Sequence, residues 1–403
     1  MKPQHSSPES VLTAITSALE ERTVPLCQHF GECGGCQLQH LPQASQLTAK
    51  QAMLLDVLKR AGVATLPEIQ AHAAKPWHYR NRVRLRVDGN EIGYSRRASN
   101  EFLPIGMCPI ASPLLLQMAM TARDLVRIGT VQWPTATSTI EFFCDSEERS
   151  VQLSLQLDAT VGTVERDAPR HLRALCEALH ARHPQLIGAG LSVGGTPDPK
   201  QTRRVQESIR VEIARWGSQQ LTYSVRGRDY AITRNAFFQV NRFLTATMVD
   251  LVVGDRRGSL AFDLFAGAGL FSVPLTERFD QVIAVEIGEP AASDLAAHLR
   301  ACGPQHQARR STTRDFLQKE APRIAQRPDL VLLDPPRAGL GAPTVNALAR
   351  TGTREIVYVS CDAGTFARDA RSLLESGYTL TTLHLLDLFP QTFHTETIAV
   401  FRL

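Results

Sequence analysis

Of the eight cysteines in the chain, five stand where thiol chemistry is expected. Cys361 closes the run Ile356-Val357-Tyr358-Val359-Ser360-Cys361-Asp362, which reads as a buried strand ending in polar residues. A core thiol more often sits in mid-strand. One delivered to a strand end beside a crevice is a candidate nucleophile. Cys27, Cys33 and Cys36 lie on one short stretch, with the Gly34-Gly35 pair letting the backbone wrap closely around a bound group, and Cys108 follows in Gly106-Met107-Cys108-Pro109. Four thiolates bind zinc or an iron–sulfur cluster. Zinc sites usually come as two close pairs, whereas three ligands together and one remote, followed by proline, favour a 4Fe–4S cluster. The bland alternative is a set of unligated core thiols. The spacing is not the C-x3-C-x2-C of radical enzymes. Cys144, Cys176 and Cys302 lack comparable surroundings and read as ordinary core or surface thiols.

Carboxylates gather at similar strand ends. Leu260-Ala261-Phe262-Asp263-Leu264-Phe265 leads into Ala266-Gly267-Ala268-Gly269, where Gly267 and Gly269 let a cofactor approach backbone N–H groups. The next apolar run, Gln281 to Val285, ends in Glu286, about 20 positions on, where an acid can accept hydrogen bonds from ribose hydroxyls. A dinucleotide fingerprint would carry a third glycine. S-adenosylmethionine (SAM) has no pyrophosphate and needs none. Leu330 to Leu333 ends in Asp334-Pro335-Pro336-Arg337, a carboxylate and a rigid diproline at the edge where open α/β sheets bind ligands.

The elements that must position these groups follow from periodicity. Residues 10–22 and 46–62 have helical spacing and flank the first three cysteines. From 78 to 105 the period is two, with a turn at Asp88-Gly89-Asn90, so a hairpin is expected. On its first strand Arg80, Arg82, Arg84 and Arg86 share one face, while Val83, Leu85 and Val87 enter the core. Four guanidiniums on one face suit a phosphate backbone. The competing reading is a solvated face laced with carboxylates, and no acidic run lies nearby in the sequence. Between Lys75 and Ile110, seven basic residues against three acidic give a surplus of four, equal to the net +4 of all 403 residues. Residues 111–225 mix helices and alternating strands without evident chemistry. After Tyr230, strand, glycine loop and helix alternate, as in a doubly wound, mostly parallel sheet.

The expected division is 1–75, an N-terminal segment with the cysteines; 76–229, a central mixed α+β RNA-recognition domain; and 230–403, a Rossmann-like α/β catalytic domain. No apolar run approaches the roughly 20 residues that cross a bilayer, and the polar start MKPQHSSPES is unlike a signal peptide. A cytoplasmic location is therefore expected, and with it reduced cysteines.

Together Cys27…Cys33…Cys36…Cys108, Phe237-Phe238-Gln239-Val240-Asn241, Asp263 to Gly269, Asp334 to Arg337, Ser360-Cys361-Asp362 and His394-Thr395-Glu396 resemble the RNA (uracil-C5)-methyltransferases, over roughly residues 25–403. The resemblance implies a class I SAM-dependent fold, Cys361 as nucleophile and Glu396 as base. It implies SAM contacts from Gln239, Phe265, Glu286 and Asp334, with Asp315 an addition, and a 4Fe–4S cluster on Cys27, Cys33, Cys36 and Cys108. Leu270 replaces an asparagine that touches SAM in some members, so no side-chain contact is assigned there. The stretch before the cysteines is too short for the N-terminal β-barrel of some members. Cluster present and barrel absent resembles the RlmC type, which implies 23S ribosomal RNA as partner; a looped or unstacked uridine as target and a monomeric protein are expected. A tRNA substrate, N-methylation of a base gripped by Asp334-Pro335-Pro336, and a non-catalytic assembly factor are the rival readings.

Overall fold

The computed structural model describes residues 7–194 and 210–403. Two large sheets carry the fold. The first contains β2 (Arg82–Asp88), β3 (Glu91–Ser95), β4 (Phe102–Pro104), β5 (Thr137–Cys144), β6 (Val151–Thr160), β7 (Leu186–Gly194) and β8 (Arg210–Gly217), ordered β4-β3-β2-β5-β6-β7-β8. The hairpin read from the sequence is β2–β3. Its pairs are antiparallel except β6 with β7, between which the chain crosses over through a helix.

The second sheet has eight strands. β1 (Ile69–His72) forms one edge, and the remainder are β11 (Gly258–Leu264), β12 (Phe279–Val285), β13 (Gln307–Arg309), β14 (Leu330–Leu333), β15 (Glu355–Ser360), β16 (Thr379–Leu386) and β17 (Glu396–Arg402). The order is β1-β16-β17-β15-β14-β11-β12-β13, parallel apart from β17. From β11 the chain winds outward to β12 and β13, then returns to the other flank of β11 as β14 and β15. That reversal is the topological switch point, outside whose strand ends α/β proteins bind ligands. A two-stranded hairpin, β9 (Gln220–Val225) with β10 (Arg228–Thr233), links the two sheets.

Helices complete the cores on both sheets. α1 (Pro8–Ser17) and α2 (Gln43–Arg60) precede the sheets. Ser7 caps α1, accepting from Ser10 N at 3.2 Å ahead of Pro8 in the first turn. α3 (Pro113–Arg127) and α4 (Ala168–His180) lay Leu115, Met118, Leu172 and Leu175 on the first sheet. α5 (Thr245–Val253), α6 (Ala291–Cys302), α7 (Ala342–Ala349) and α8 (Ala363–Glu375) belong to the second. One face of that sheet packs on α1, α2, α7 and α8 through Leu12, Leu54, Val345 and Phe366. The other face packs on α5 and the β9–β10 hairpin through Val252, Tyr223 and Tyr230.

Two boundaries differ from those read in the sequence. Residues 8–72 share the core of the second sheet, with β1 pairing parallel to β16. Four residues with no strong pattern, Ile69-Gln70-Ala71-His72, carry no signal of a partner more than 300 positions on. The break expected at 229/230 falls inside the β9–β10 hairpin, whose Leu221, Tyr223 and Tyr230 are buried with the catalytic core. Among the described residues no helix is long and apolar enough to cross a membrane.

The turn between the sheets is tight. Gly217 has φ +64°, and a Cβ there would lie 2.3 Å from Ile187 O. Gly217→Ala is expected to cost about 2 kcal/mol or more of stability, since both the left-handed conformation and the backbone contact oppose it. A thermal melt indistinguishable from wild type contradicts this.

Candidate active site

Strand register aligns the candidate residues in one row. Leu264 of β11 is level with Val285 of β12 and with Leu333 of β14, so Phe265, Glu286 and Asp334 leave the sheet side by side. β15 continues the row from Leu333 level with Tyr358. The antiparallel ladder of β15 with β17 closes at Ser360 opposite Thr397, which makes Cys361 and Glu396 the next facing pair. In order across the sheet stand Glu396, Cys361, Asp334, Phe265 with its glycine loop, and Glu286.

The glycine loop is strained as a cradle would be. Phe265 has φ +65°, unusual for a bulky residue, followed by Gly267 at +55° and Gly269 at +93°. A Cβ on Gly267 would meet nothing, so the loop borders open space. Gly267 N donates to Glu286 Oε2 at 3.0 Å and Gly288 N to its Oε1 at 2.6 Å, which fixes the carboxylate at the crevice rim. Gln239 is buried; its carbonyl accepts from Asn81 at 3.1 Å, and its side chain has no hydrogen bond among the described residues.

Asp263 had no assigned role in the sequence. It is buried beneath the loop, hydrogen-bonded by Ser272 Oγ through Oδ2, while Oδ1 has no partner among the described residues. Desolvation pushes the carboxyls of Asp263 and Asp334 each up to about 7, and the proximity of Asp263 adds to the rise at Asp334. Burial, then the nearby Asp334, likewise holds Glu396 well above the usual carboxylate range. An orphaned buried oxygen, a strained glycine loop and an acid at ribose distance fit a cofactor with hydroxyls and positive charge, as SAM has.

Cys361 is partly exposed at the turn into α8, where the following Asp362 caps the helix, its Oδ1 accepting from Thr365 N at 2.8 Å. Burial first, then Glu396 and Asp334, push its thiol up to about 12. The opposing influence is Arg337, the cation that the sequence alone did not single out. Its Nη2 lies 3.3 Å from His394 Nε2, and it forms no ion pair among the described residues. Desolvation and that guanidinium lower His394 to about 4, so the imidazole is neutral at pH 7.

Asp315 lies beyond the end of β13, the strand next to β12 in the sheet. It follows β13 at the start of a helical turn, where Thr312 Oγ1 donates to Oδ2 at 2.7 Å and Lys319 lies 2.5 Å from Oδ1.

The arginine face requires a correction. Arg82 Nη1 meets Glu141 Oε1 at 2.8 Å and Arg84 Nε meets Oε2 at 2.7 Å. Arg82 also donates to Ala236 O at 2.9 Å and stacks over Phe143. Glu141 sits on β5 directly opposite Arg84, so the carboxylate missing from the local sequence arrives from the neighbouring strand. Arg82 is half-buried, and its guanidinium is committed to Glu141 and to Ala236 O. Arg84 and Arg86 remain exposed, and Arg80 keeps a buried Nε without a partner.

The four candidate ligand cysteines are drawn together. Cys33 bridges Arg96 of the hairpin, Gly35 N lies 3.4 Å from Cys33 Sγ, and Tyr94 Oη lies 3.9 Å from Cys108 Sγ. Burial pushes Cys36 up to about 12, with Cys108, Cys33 and Cys27 adding to the effect, so the four sulfurs are in electrostatic reach of one another. They do not form a preorganised site: among the described residues no group of three or more His, Cys, Asp or Glu is arranged to hold a metal ion. As a donor set, four free thiols on a glycine-hinged loop and a hairpin still fit a thiolate-bound group.

A doubly wound sheet with a glycine-loop crevice at its switch point and one antiparallel strand, β17, inserted between β15 and β16 has the class I methyltransferase architecture. The fold agrees with a solved structure, the Pyrococcus abyssi tRNA (uracil-54, C5)-methyltransferase in complex with S-adenosyl-L-homocysteine. The likeness covers 91% of this chain and 85% of that one, at TM-score 0.72 and 23% identity. A family model described as tRNA (Uracil-5-)-methyltransferase matches residues 310–402. The 23S rRNA (uracil(1939)-C(5))-methyltransferase RlmD of Pseudomonas fluorescens is 33% identical, over 96% of this chain and 80% of the relative. The enzyme of the same name from Vibrio campbellii is 31% identical, over 97% and 84%. The chain belongs to the RNA (uracil-C5)-methyltransferase family.

At pH 7 the raised thiol predicts slow iodoacetamide labelling of Cys361 in the free enzyme, quickening as pH climbs towards about 12. Asp334→Asn removes one anion that favours the thiol over the thiolate, so its labelling profile moves to lower pH. A profile identical to wild type contradicts the electrostatic account.

Proposed function

We propose that the protein methylates C5 of a uridine in 23S ribosomal RNA through a covalent bond between Cys361 and C6 of the base. The observation that carries this reading is the β15–β17 register, which faces Cys361 with Glu396 beside the glycine-loop crevice. Both RlmD relatives carry 23S rRNA in their names, so the uridine corresponding to theirs is the first to test. A tRNA substrate is the second reading, favoured by the wording of the family model.

SAM, when bound against Gln239, Phe265, Glu286 and Asp334, supplies an electrophilic methyl group for C5. C5 of uracil is a weak nucleophile by itself. Addition of Cys361 Sγ to C6 makes an enolate with electron density at C5, dividing one hard step into easier ones. Once methylated, C5 carries both a methyl group and a proton. Glu396 removes that proton, and the electron pair left on C5 restores the C5–C6 double bond as Cys361 Sγ departs. Arg337 stands where a cation favours the thiolate. The target base leaves its stack to reach Cys361, at a few kcal/mol, less from a loop or mismatch.

Arg80, Arg84 and Arg86 are the proposed backbone contacts of the RNA. The support for a 4Fe–4S cluster on Cys27, Cys33, Cys36 and Cys108 is the donor set, four free thiols, with Cys33 bridged to Arg96 at the end of the hairpin. By position the group would tie the N-terminal segment to the hairpin. A cytoplasmic location agrees with reduced thiols and a ribosomal substrate.

Cys361→Ala is expected to abolish transfer to 23S rRNA fragments, while Glu396→Gln accumulates an RNA–protein adduct stable on denaturing gels. Full activity in Cys361→Ala overturns the reading, and preference for tRNA over rRNA in competition selects the second one. Anaerobically purified protein is expected to contain about four iron atoms and four sulfides per chain. Stoichiometric zinc in their place contradicts the cluster.

A further inference from the structure

The loop from Asp387 to Thr395 carries the chain out of β16 and delivers Glu396 to the start of β17. Loops of this kind usually run over the surface and keep conformational freedom. This one is gripped from outside the catalytic half of the chain. Lys50 of α2 is wholly buried, with Nζ 2.7 Å from Asp387 Oδ1, and it donates to Phe389 O at 3.0 Å. One turn earlier, buried Gln46 engages Gln391 with both ends of its amide. Its Nε2 donates to Gln391 Oε1 and its Oε1 accepts from Gln391 N, each at 2.9 Å. Gln37 N and Leu38 N both donate to Gln391 O, at 2.9 and 3.0 Å, and Gln37 Oε1 accepts from Phe393 N at 3.3 Å. Tyr79 Oη and Asn241 Nδ2 hold Pro390 O and Leu388 O from the other side, at 3.2 and 2.9 Å.

Stability alone does not account for this arrangement. A buried ion pair is often matched or exceeded by apolar residues of similar volume, because desolvating two charges offsets their attraction. What such a pair supplies in some proteins is a single register, because any slip leaves an uncompensated buried charge. The loop it fixes ends at the residue that faces the nucleophile.

We propose that Lys50, Gln46 and Gln37 are positioning residues for proton removal, holding the 387–395 loop so that the Glu396 carboxylate stays opposite Cys361. The inference rests on the reading of Glu396 as the base. Gln37 directly follows Cys36, so the cysteine loop runs straight into this clamp.

The test uses the full-length protein with an RNA substrate and two variants. Gln37→Ala alters a half-buried side chain, and the double variant Lys50→Met/Asp387→Leu removes both buried charges together, sparing the fold an uncompensated ion. If the clamp positions the base, the dissociation constants for RNA and for SAM and the single-turnover rate of methyl transfer stay within about twofold. Product release then slows roughly tenfold or more. The methylated covalent adduct accumulates during turnover, because methyl transfer precedes the step that needs Glu396. Gln37→Glu keeps the acceptor for Phe393 N but loses the donation from Nε2 to Gly34 O, so it restores turnover in part. A merely structural role lowers the active fraction with no build-up of adduct, and that result overturns the proposal, as does unchanged product release in both variants. Should the double variant not fold, Gln37→Ala decides alone. Glu396→Gln run in parallel separates the two failures. If it traps adduct while the clamp variants do not, only the clamp falls; if it traps none, the base assignment falls and takes the clamp with it.

Discussion

β17 runs antiparallel between β15 and β16 in an otherwise parallel sheet, and the site depends on the register of that one insertion. Parallel strands alone would place every loop-borne group at the same edge on the same side of the crevice. An antiparallel strand begins where its neighbours end. Glu396 can therefore sit at the first position of a strand, rigidly paired with Leu386, and still face Cys361 at the last turn of another. A slip of one residue would turn the Glu396 side chain to the opposite face of the sheet, away from the thiol.

The same packing concentrates acid where the proposed chemistry needs anions only in turn. Asp263, Asp334, Glu396 and Cys361 are close enough, and dry enough, that each raises or is raised by another. Left to itself the Cys361 thiol keeps its proton and is unreactive, while Asp263, Asp334 and Glu396 are shifted towards their protonated forms. Positive charge entering the crevice shifts all of these groups towards their ionised forms, and Arg337 already supplies part of it from the rim. A cationic cofactor thus suits the site for an electrostatic reason separate from its shape. Reactivity would then be tied to occupancy.

What could be read from the sequence was local. Apolar runs ending in a single acid or thiol, such as Leu330 to Asp334 and Ile356 to Cys361, announced both the parallel strands and the groups at their ends. The alternation through Val83, Leu85 and Val87 gave the inward face of β2, and the structure buries the first two. What stayed hidden was long-range pairing. Glu141 pairs with both Arg82 and Arg84 from a strand nearly sixty positions away, offsetting one of their two charges. Lys50 looks in sequence like one more helix cation, yet its partner Asp387 is 337 positions distant. Asp263 stood in plain view inside a glycine-loop motif, but only burial without a partner for Oδ1 marks it as unusual. Composition and periodicity report which face of an element is apolar. They do not report which other element will cover it.

The central claim is that Cys361 bonds to the target base and that C5 must lose a proton before the bond can break. An RNA fragment bearing 5-fluorouridine at the target position tests both at once, since fluorine cannot be abstracted by Glu396. Incubated with the protein and SAM, it is predicted to give a stable complex whose intact mass is protein plus RNA plus one methyl group, with the nucleotide attached to the peptide containing Cys361. A mass showing no adduct, or an adduct carried by any other cysteine, contradicts the account.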